Sequence, residues 1–392
     1  MSINRRNFLR ISATAGAGAL LLNPVDSVAS AKASNDPKFP TRKLGKTGLE
    51  LPILSMGVMR ADNPSVLRAA FNSGIVHFDT ANGYQNGKNE EMVGNFFKGR
   101  PRESYVIATK CKARYPFSEN FEKEFSEMLE TSLKRLQMDY VDIFYAHALD
   151  KVEEVKDPRL MALLSKFKKE GKIKFIGFST HANARASEQI DAAIEAGIYD
   201  VILLSYNFKL NQLSETQEAI ARGVKAGIGF VAMKTMTGGT ADADGKKKID
   251  AGACLKWAWK NENITTIIPG FTNYDELEQC IAAANDPKLN DAEQKYLAGL
   301  CNEELLYCVN CEKCVADCVD HLPIPDMMRA YMYNYGYKQP ILSKETMLEL
   351  ALSDELCKSC STCAVSCTEG FDVQKKIASI SKIVNVPNEF LV

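Results

Sequence analysis

Between residues 42 and 285, short apolar runs rich in β-branched residues alternate with longer stretches whose apolar residues recur every three or four positions. Short apolar runs are typical of buried strands, and the longer period is typical of amphipathic helices. The pattern predicts eight strands, at residues 52–59, 76–79, 105–110, 141–147, 173–179, 201–206, 228–234 and 265–269. A helix is predicted after each strand, the first only about two turns long, and examples are Glu90–Lys98, Phe121–Leu136, Arg159–Glu170, Ala186–Ala196, Glu215–Ala226, Gly252–Lys260 and Asp275–Ala284.

Eight βα units over about 250 residues have the count and length of a (β/α)8 TIM barrel. A doubly wound open sheet is the alternative, and the even spacing of eight parallel units favours closure into a barrel. The predicted fold class is therefore α/β, with the chemistry expected at the carboxyl ends of the strands.

The C-terminal part of the chain carries one cysteine spacing twice. The runs are Cys308, Cys311, Cys314 and Cys318, and then Cys357, Cys360, Cys363 and Cys367, each reading C-x2-C-x2-C-x3-C. In two-cluster ferredoxins the fourth cysteine of each run ligates the other cluster, so we predict two [4Fe–4S] clusters with Cys318 and Cys367 exchanged. Disulfides and tetrahedral zinc are the alternatives, and the doubled motif favours the clusters. We predict a small, mostly helical, ferredoxin-like domain at 299–392, after a barrel domain at 36–298.

The first 31 residues have the features of an export signal. Arg5 and Arg6, followed by an apolar pair and the weakly apolar run Ile11–Leu22, resemble a twin-arginine signal, and Ala29-Ser30-Ala31 fits a cleavage site. An ordinary secretory signal or a basic tail are the alternatives. We predict a periplasmic or otherwise exported protein with no transmembrane helix in the mature chain, because no other apolar run approaches the necessary ~20 residues.

Charge and composition exclude one class of partner. The formal net charge is −1, from 48 basic and 49 acidic residues, which argues against a nucleic-acid partner. The 46% hydrophobic content is normal for a globular protein with a buried core.

Polar residues end three successive predicted strands. Asp79 ends the second strand, with Tyr84 just beyond it, while Lys110 ends the third and His147 the fourth. A carbonyl that receives hydride needs a proton donor, and a neighbouring ammonium makes tyrosine usable by lowering its pKa from about 10. Lys110 would supply the ammonium and Asp79 would hold it in place. His147 would orient the carbonyl oxygen or relay a proton, and Tyr84 would donate in reduction and accept in oxidation.

These residues lie in local motifs that resemble the aldo-keto reductase family, as do TRKLGKTGLELP from Thr41 and IIPG at 267–270. The resemblance covers most of the chain after the signal, and the cysteine runs match a branch of the family with a ferredoxin-like extension. It implies an NAD(P)H-dependent oxidoreductase that acts on a carbonyl or alcohol substrate through Asp79, Tyr84, Lys110 and His147.

The resemblance also implies a nucleotide site near the loops after strands seven and eight, where glycines let backbone N–H groups approach an anion. The implied contacts are Ser179, Met233, Lys234, Gly238, Gly239, Pro269, Gly270 and Glu276. Leu203 and Met233 stand where many members have a glutamine and an aromatic ring. Gly270 and Glu276 stand where NADPH-preferring members have a lysine and an arginine. Because an acid at 276 would repel a 2′-phosphate, the sequence favours NADH.

Three functions remain compatible with the sequence. The clusters of such an oxidoreductase would exchange electrons with a redox partner, or they would only stabilise the fold. The third function is an electron-transfer or binding module whose barrel no longer uses nicotinamide nucleotide. An exported enzyme has no free nucleotide pool around it, and the departures at 203, 233 and 276 keep this third reading open. The intact set of four side chains favours the enzyme.

Overall fold

The computed structural model describes residues 38–391 apart from 113, 211, 353–355, 358–359 and 361. Residues 37–392 form one compact unit. The predicted export signal and its cleavage site lie outside the described residues. The predicted boundary at 299 falls inside this unit, so the barrel and the C-terminal segment belong to one compact body, and their division into two domains stays a prediction.

Eight parallel strands form the central sheet, after an antiparallel hairpin of β1 (Thr41–Lys43) and β2 (Glu50–Pro52). In chain order these strands are β3 (Met56–Gly57), β4 (His77–Asp79), β5 (Val106–Cys111), β6 (Val141–Ala146), β7 (Ile173–Thr180), β8 (Val201–Ser205), β9 (Gly229–Met233) and β10 (Thr266–Ile267). They are hydrogen-bonded in sequence order, and Leu54 pairs in parallel with Ile267 across the remaining gap. The predicted (β/α)8 barrel is confirmed.

Helices connect the strands on the outside of the barrel. They are α1 (Pro64–Asn72), α2 (Lys88–Phe97), α3 (Phe121–Leu136), α4 (Val152–Val155), α5 (Pro158–Lys169), α6 (Ala186–Ala196), α7 (Leu213–Lys225), α8 (Ala251–Trp259) and α9 (Tyr274–Asn285). Short 3-10 turns lie at Tyr84–Gly87, Arg102–Ser104 and Asn183–Arg185. Local sequence explains several starts: Asn63 and Asp157 accept hydrogen bonds from first-turn N–H groups, and a proline follows each of them.

The C-terminal segment is helical and packs around its own apolar core. It contains α11 (Lys313–Asp317), α12 (Ile324–Tyr335), α13 (Pro340–Glu349) and α14 (Val373–Ile380), joined to the barrel through α10 (Asp291–Cys301), with 3-10 turns at Ser381–Asn385 and Asn388–Phe390. Met327, Met328 and Ile377 are among its fully buried residues. Within the described part of the chain, no helix combines the length and apolarity that crossing a bilayer requires.

Strand alternation decides which side chains face the barrel axis. Ala108 of β5 and Tyr145 of β6 belong to the cluster that fills the barrel interior. Successive side chains of a strand point to opposite faces, so the residue two positions on shares the same face. Lys110 and His147 therefore face the axis one layer higher, at the carboxyl-end mouth of the barrel.

Candidate active site

The structure brings together the four side chains that the sequence singled out. Lys110 Nζ donates to Asp79 Oδ1 at 2.6 Å and to the Thr80 carbonyl oxygen at 2.5 Å. The same ammonium lies 3.5 Å from the Tyr84 hydroxyl. The rings of Tyr84 and His147 meet edge to face, with centroids 6.1 Å apart. One ammonium thus links the carboxylate to the phenol, and the imidazole packs against the phenol ring.

Burial controls the protonation of this group. It raises the pKa of Tyr84 well above its usual value, and the charge of Asp79 adds to the shift. The expected lowering of this pKa by Lys110 is therefore outweighed in the free protein, where Tyr84 is a protonated donor. Burial, reinforced by Lys110 and other cations, also holds the pKa of His147 well below its ordinary value. His147 is consequently neutral near pH 7 and can hydrogen-bond to a carbonyl oxygen without carrying a charge.

A cavity of about 960 Å³ opens above these residues. Besides Asp79, Tyr84, Lys110 and His147, its lining includes five residues implied for the nucleotide, namely Met233, Lys234, Gly239, Pro269 and Gly270. The wall opposite the barrel comes from the C-terminal segment, through Arg329, Tyr333 and Tyr337. The catalytic residues and most of the implied nucleotide contacts thus share one space, which the C-terminal segment completes.

The remaining implied nucleotide contacts are engaged within the protein. Ser179 is fully buried, and its Oγ accepts the Ala148 N–H at 2.9 Å, so this side chain holds the loop after His147. A Cβ at Gly238 would lie 3.3 Å from Met332 Cγ, so this half of the glycine pair is covered by α12. Leu203 packs in the barrel interior.

Glu276 lies at the start of α9, where its carboxylate accepts hydrogen bonds from the backbone N–H and hydroxyl of Thr272, at 2.8 and 3.1 Å. No sequence motif had indicated Arg60, which lies beside Gly270 and lines the same end of the cavity. Its guanidinium carbon lies 5.6 Å from the centre of the Tyr337 ring, and its buried Nε has no hydrogen-bond partner among the described residues. Arg60 therefore lines the implied nucleotide end of the cavity, whereas Glu276 is not among the residues that line it.

The eight motif cysteines form two groups. Burial raises the pKa of Cys308 to about 12, and the negative charges of three nearby thiols add to this shift. These thiols belong to Cys314, Cys367 and Cys311. The second group is Cys318, Cys357, Cys360 and Cys363, which line one small cavity. Cys318 thus lines this cavity together with three cysteines of the second run. In the part of the chain that the structure describes, no group of three or more His, Cys, Asp or Glu residues is arranged to hold a single metal ion.

The first cysteine loop is attached directly to a loop at the barrel mouth. Asn310 Nδ2 donates to the carbonyl oxygen of His181 at 2.9 Å. In the opposite direction, Asn183 Nδ2 donates to the Tyr307 hydroxyl at 2.7 Å and to the Val309 carbonyl oxygen at 3.1 Å. A small cavity between these loops is lined by residues of both, including His181 and Cys308. The sequence carries no local signal for this contact, because the partners are more than 120 residues apart.

Comparison with known proteins agrees with the fold. The sequence profile of the aldo/keto reductase family matches residues 54–253. The chain therefore belongs to the aldo/keto reductase family, whose members are oxidoreductases that use NAD(P)H.

Individual relatives cover the barrel. The chain is 26% identical over 300 residues to L-galactose dehydrogenase of Arabidopsis thaliana, covering 67% of this chain and 93% of that protein. It is 25% identical over 305 residues to L-glyceraldehyde 3-phosphate reductase of Escherichia coli, covering 62% of this chain and 87% of the relative. A solved aldo-keto reductase from Bacillus halodurans, in its holo form, superposes with a TM-score of 0.52 at 20% identity, covering 67% of this chain and 96% of that one.

Proposed function

We propose that this oxidoreductase is exported, carries two [4Fe–4S] clusters, and interconverts a carbonyl compound and an alcohol with Tyr84 as the acid and base. The observation that carries the catalytic part is the contact of Tyr84 with Lys110 at 3.5 Å and its edge-to-face packing on His147, at the floor of a large cavity. The relatives L-galactose dehydrogenase and L-glyceraldehyde 3-phosphate reductase are named for small hydroxylated molecules. They support a small carbonyl or alcohol substrate for this chain.

In reduction, Tyr84 gives its proton to the carbonyl oxygen as negative charge develops there. The resulting tyrosinate is stabilised by the Lys110 ammonium, which Asp79 holds at 2.6 Å. Neutral His147 hydrogen-bonds to the same oxygen and orients it. A nicotinamide nucleotide, when bound, supplies or accepts the hydride at the carbon. In oxidation Tyr84 accepts the proton from the alcohol, which is the reverse of the same transfer.

The residues that would hold the nucleotide are Met233, Lys234, Gly239, Pro269 and Gly270, because they line the cavity next to Tyr84. Gly239 adopts a φ of 76° and leaves open space where a side chain would be, which suits an approaching anion. The carboxylate at Glu276 supports a preference for NADH over NADPH, since it would repel a 2′-phosphate.

The residues that would hold the clusters are Cys308, Cys311, Cys314 and Cys367 for one, and Cys357, Cys360, Cys363 and Cys318 for the other. A [4Fe–4S] cluster takes one thiolate at each iron, so its four cysteines surround a cube and do not converge on one ion. The two groups of cysteines in the structure support this assignment. The first group adjoins the loop of His181, which supports electron exchange between the active-site region and a redox partner through the clusters.

Export by the twin-arginine route would deliver the protein already folded, which suits clusters assembled in the cytoplasm. The support is the Arg5-Arg6 motif and its apolar continuation. Replacing Arg5 and Arg6 by lysine is expected to leave the protein in the cytoplasm of a bacterial host, measured by cell fractionation. Continued export of this variant would exclude the twin-arginine route.

The decisive experiment for catalysis compares the wild type with Tyr84→Phe, both purified without oxygen and assayed with NADH or NADPH against a panel of small aldehydes and ketones. Loss of the proton donor is expected to reduce kcat by about 100- to 10,000-fold. Nucleotide binding and the melting temperature should change little, because the ring and its packing remain. Undiminished turnover by Tyr84→Phe would remove this residue from the mechanism.

A further inference from the structure

The cavity contains two cations near His147 that take no part in the proton transfer, and one of them, Lys234, is also an implied nucleotide contact. Lys234 follows β9, and Arg329 comes from α12 of the C-terminal segment; both line the cavity with His147 and His181. Arg329 lies outside residues 54–253, where the family profile matches, so that match carries no information about it. The role of Arg329 must therefore be inferred from its surroundings in this structure.

Arg329 is held in a fixed orientation. Its Nη2 lies 2.5 Å from Asp326 Oδ1, one turn earlier in α12, and its Nη1 lies 3.8 Å from Asp150 Oδ2. Asp150 is itself fixed, since its other oxygen accepts the backbone N–H of His181 at 2.9 Å. A guanidinium has five N–H donors, more than these two carboxylates engage, and Arg329 lines the cavity. A pre-oriented fork of this kind suits the two oxygens of a carboxylate.

Lys234 has no carboxylate at ion-pairing distance within the described residues, and its ammonium lies 5.1 Å from the centre of the Tyr333 ring. An ammonium in a cavity wall without an anionic partner is costly, and a bound anion would relieve this cost. Burial, with Arg329 adding to it, lowers the pKa of Lys234 to about 7. A bound anion would raise that pKa again and keep the ammonium charged.

Positive charge dominates at the two histidines. Burial lowers the pKa of His181 well below its ordinary value, and the largest charges that add to the shift are those of Lys234 and Arg329. His147 responds to the same two cations, as well as to Lys110 and Lys112. Asp150 and Asp326 are paired with Arg329, and Glu349 with Lys112 at 2.6 Å. Glu154 and Glu345 also line the cavity. The charges that act most strongly on the two imidazoles are nevertheless cations, Lys110 on His147 and Lys234 on His181.

We propose that the substrate carries a carboxylate close to the reacting carbon, as in 2-oxo acids and 2-hydroxy acids, and that Arg329 and Lys234 bind this carboxylate. The proposal rests on the proposed carbonyl–alcohol activity and names its substrate class. It also gives the C-terminal segment a part in substrate selection, since α12 places Arg329 over the barrel mouth.

The test compares acids with their neutral esters on the full-length, anaerobically purified protein. Pyruvate, 2-oxohexanoate and phenylpyruvate are assayed beside their methyl esters, and glyceraldehyde 3-phosphate beside glyceraldehyde. A charge-assisted contact is expected to give the acids a kcat/KM at least about 10-fold above the esters. Arg329→Gln should remove most of this ratio through a higher KM for the acids, Lys234→Met should reduce it, and Arg329→Lys should restore part of it. Lys246→Met, a surface change in a charged loop, is the matched control and should keep the wild-type ratio.

A binding measurement separates this proposal from the catalytic one. Calorimetric titration with oxamate, a carboxylate, and oxamide, its neutral analogue, does not depend on turnover. Wild-type preference for oxamate that Arg329→Gln abolishes supports the carboxylate site even if no carbonyl is turned over, in which case only the proposed activity fails. Equal use of acids and esters, or equal binding of the two probes, overturns the carboxylate site while turnover of the esters upholds the activity. A preference confined to the phosphate pair also overturns it, in favour of a phosphorylated substrate.

Discussion

The side-chain amide of Asn310 donates a hydrogen bond to the carbonyl oxygen of His181 at 2.9 Å. This bond joins the loop that carries the first cysteine run to the loop that follows β7 at the barrel mouth. Asn310 adopts a φ of 54°, a left-handed conformation that asparagine tolerates better than most residues. Together with the hydrogen bonds of Asn183 to Tyr307 and Val309, it couples the cysteine loop to the wall of the active site.

Replacing Asn310 should show what this coupling contributes to stability. Asn310→Gly keeps the left-handed backbone and loses the hydrogen bond, so we expect a loss of about 1 kcal/mol in the free energy of unfolding. Asn310→Ala loses the bond and strains the backbone as well, so the loss should be roughly 1 kcal/mol larger. Anaerobic urea titration of the two variants measures both quantities. Equal stability of the glycine variant and the wild type would mean that the contact contributes nothing.

The exchange of fourth cysteines can be tested by counting iron and comparing spectra. The intact protein should bind about eight iron atoms, and each single cysteine-to-serine change should remove or damage one cluster. Cys367→Ser should give the same electron paramagnetic resonance spectrum as Cys308→Ser, because both would affect the first cluster. Cys318→Ser should instead match Cys357→Ser.

The matched control for these variants is Cys301→Ser, since Cys301 lies at the end of α10, outside both runs. It should retain all the iron. If Cys367→Ser resembled Cys357→Ser instead, the clusters would be built from consecutive cysteines. If purified protein contained zinc and no sulfide, the cluster assignment would be wrong.

Nucleotide preference should depend on Glu276. Its carboxylate would repel the 2′-phosphate of NADPH, so we expect tighter binding of NADH. Glu276→Gln removes one negative charge. It should lower the ratio of the NADPH dissociation constant to the NADH dissociation constant by about 3- to 10-fold, as expected for a single charge near the protein surface. Glu278→Gln, on the same helix, is the control. Tighter NADPH binding by the wild type would point to Arg60, beside Gly270, as the dominant charge.

Acid should destabilise the protein through His77. This residue is fully buried in β4, and burial, reinforced by Lys110, lowers its pKa to about 3. Below about pH 6.5 His77 binds a proton in the unfolded chain but stays neutral in the folded protein. The free energy of unfolding must therefore fall as the pH drops below about 6.5. His77→Asn should flatten this dependence by about 1.4 kcal/mol per pH unit.

Urea unfolding between about pH 5.5 and 4.5 measures that slope, because this range lies below the ordinary histidine pKa and above the pKa of about 3 in the folded protein. The variant His321→Asn, at an exposed position after the first cysteine run, is the control and should keep the wild-type slope. An identical slope in wild type and His77→Asn would show that another group takes up the proton on unfolding.

Hydrophobic periodicity was sufficient to predict the barrel. The observed α3 and α6 have the predicted bounds, Phe121–Leu136 and Ala186–Ala196, and each predicted strand overlaps an observed one. The hairpin of β1 and β2, and helix α10, were not predicted, because they interrupt the βα repeat on which the prediction relied. Strand ends were enough to indicate Asp79, Lys110 and His147, since alternation along a strand is a local property of the chain.

The amino-acid sequence by itself determined the fold class, the family, the four catalytic candidates and the two cysteine runs. Each of these depends only on the identity and spacing of residues that lie close together in the chain. Only the tertiary structure decided that Ser179 holds a loop, that Gly238 is covered, and that Arg329 reaches the cavity beside His147. These relations join residues far apart in the chain and have no periodic signature. They depend on how the C-terminal segment packs onto the barrel, which the spacing of residues within either part does not specify.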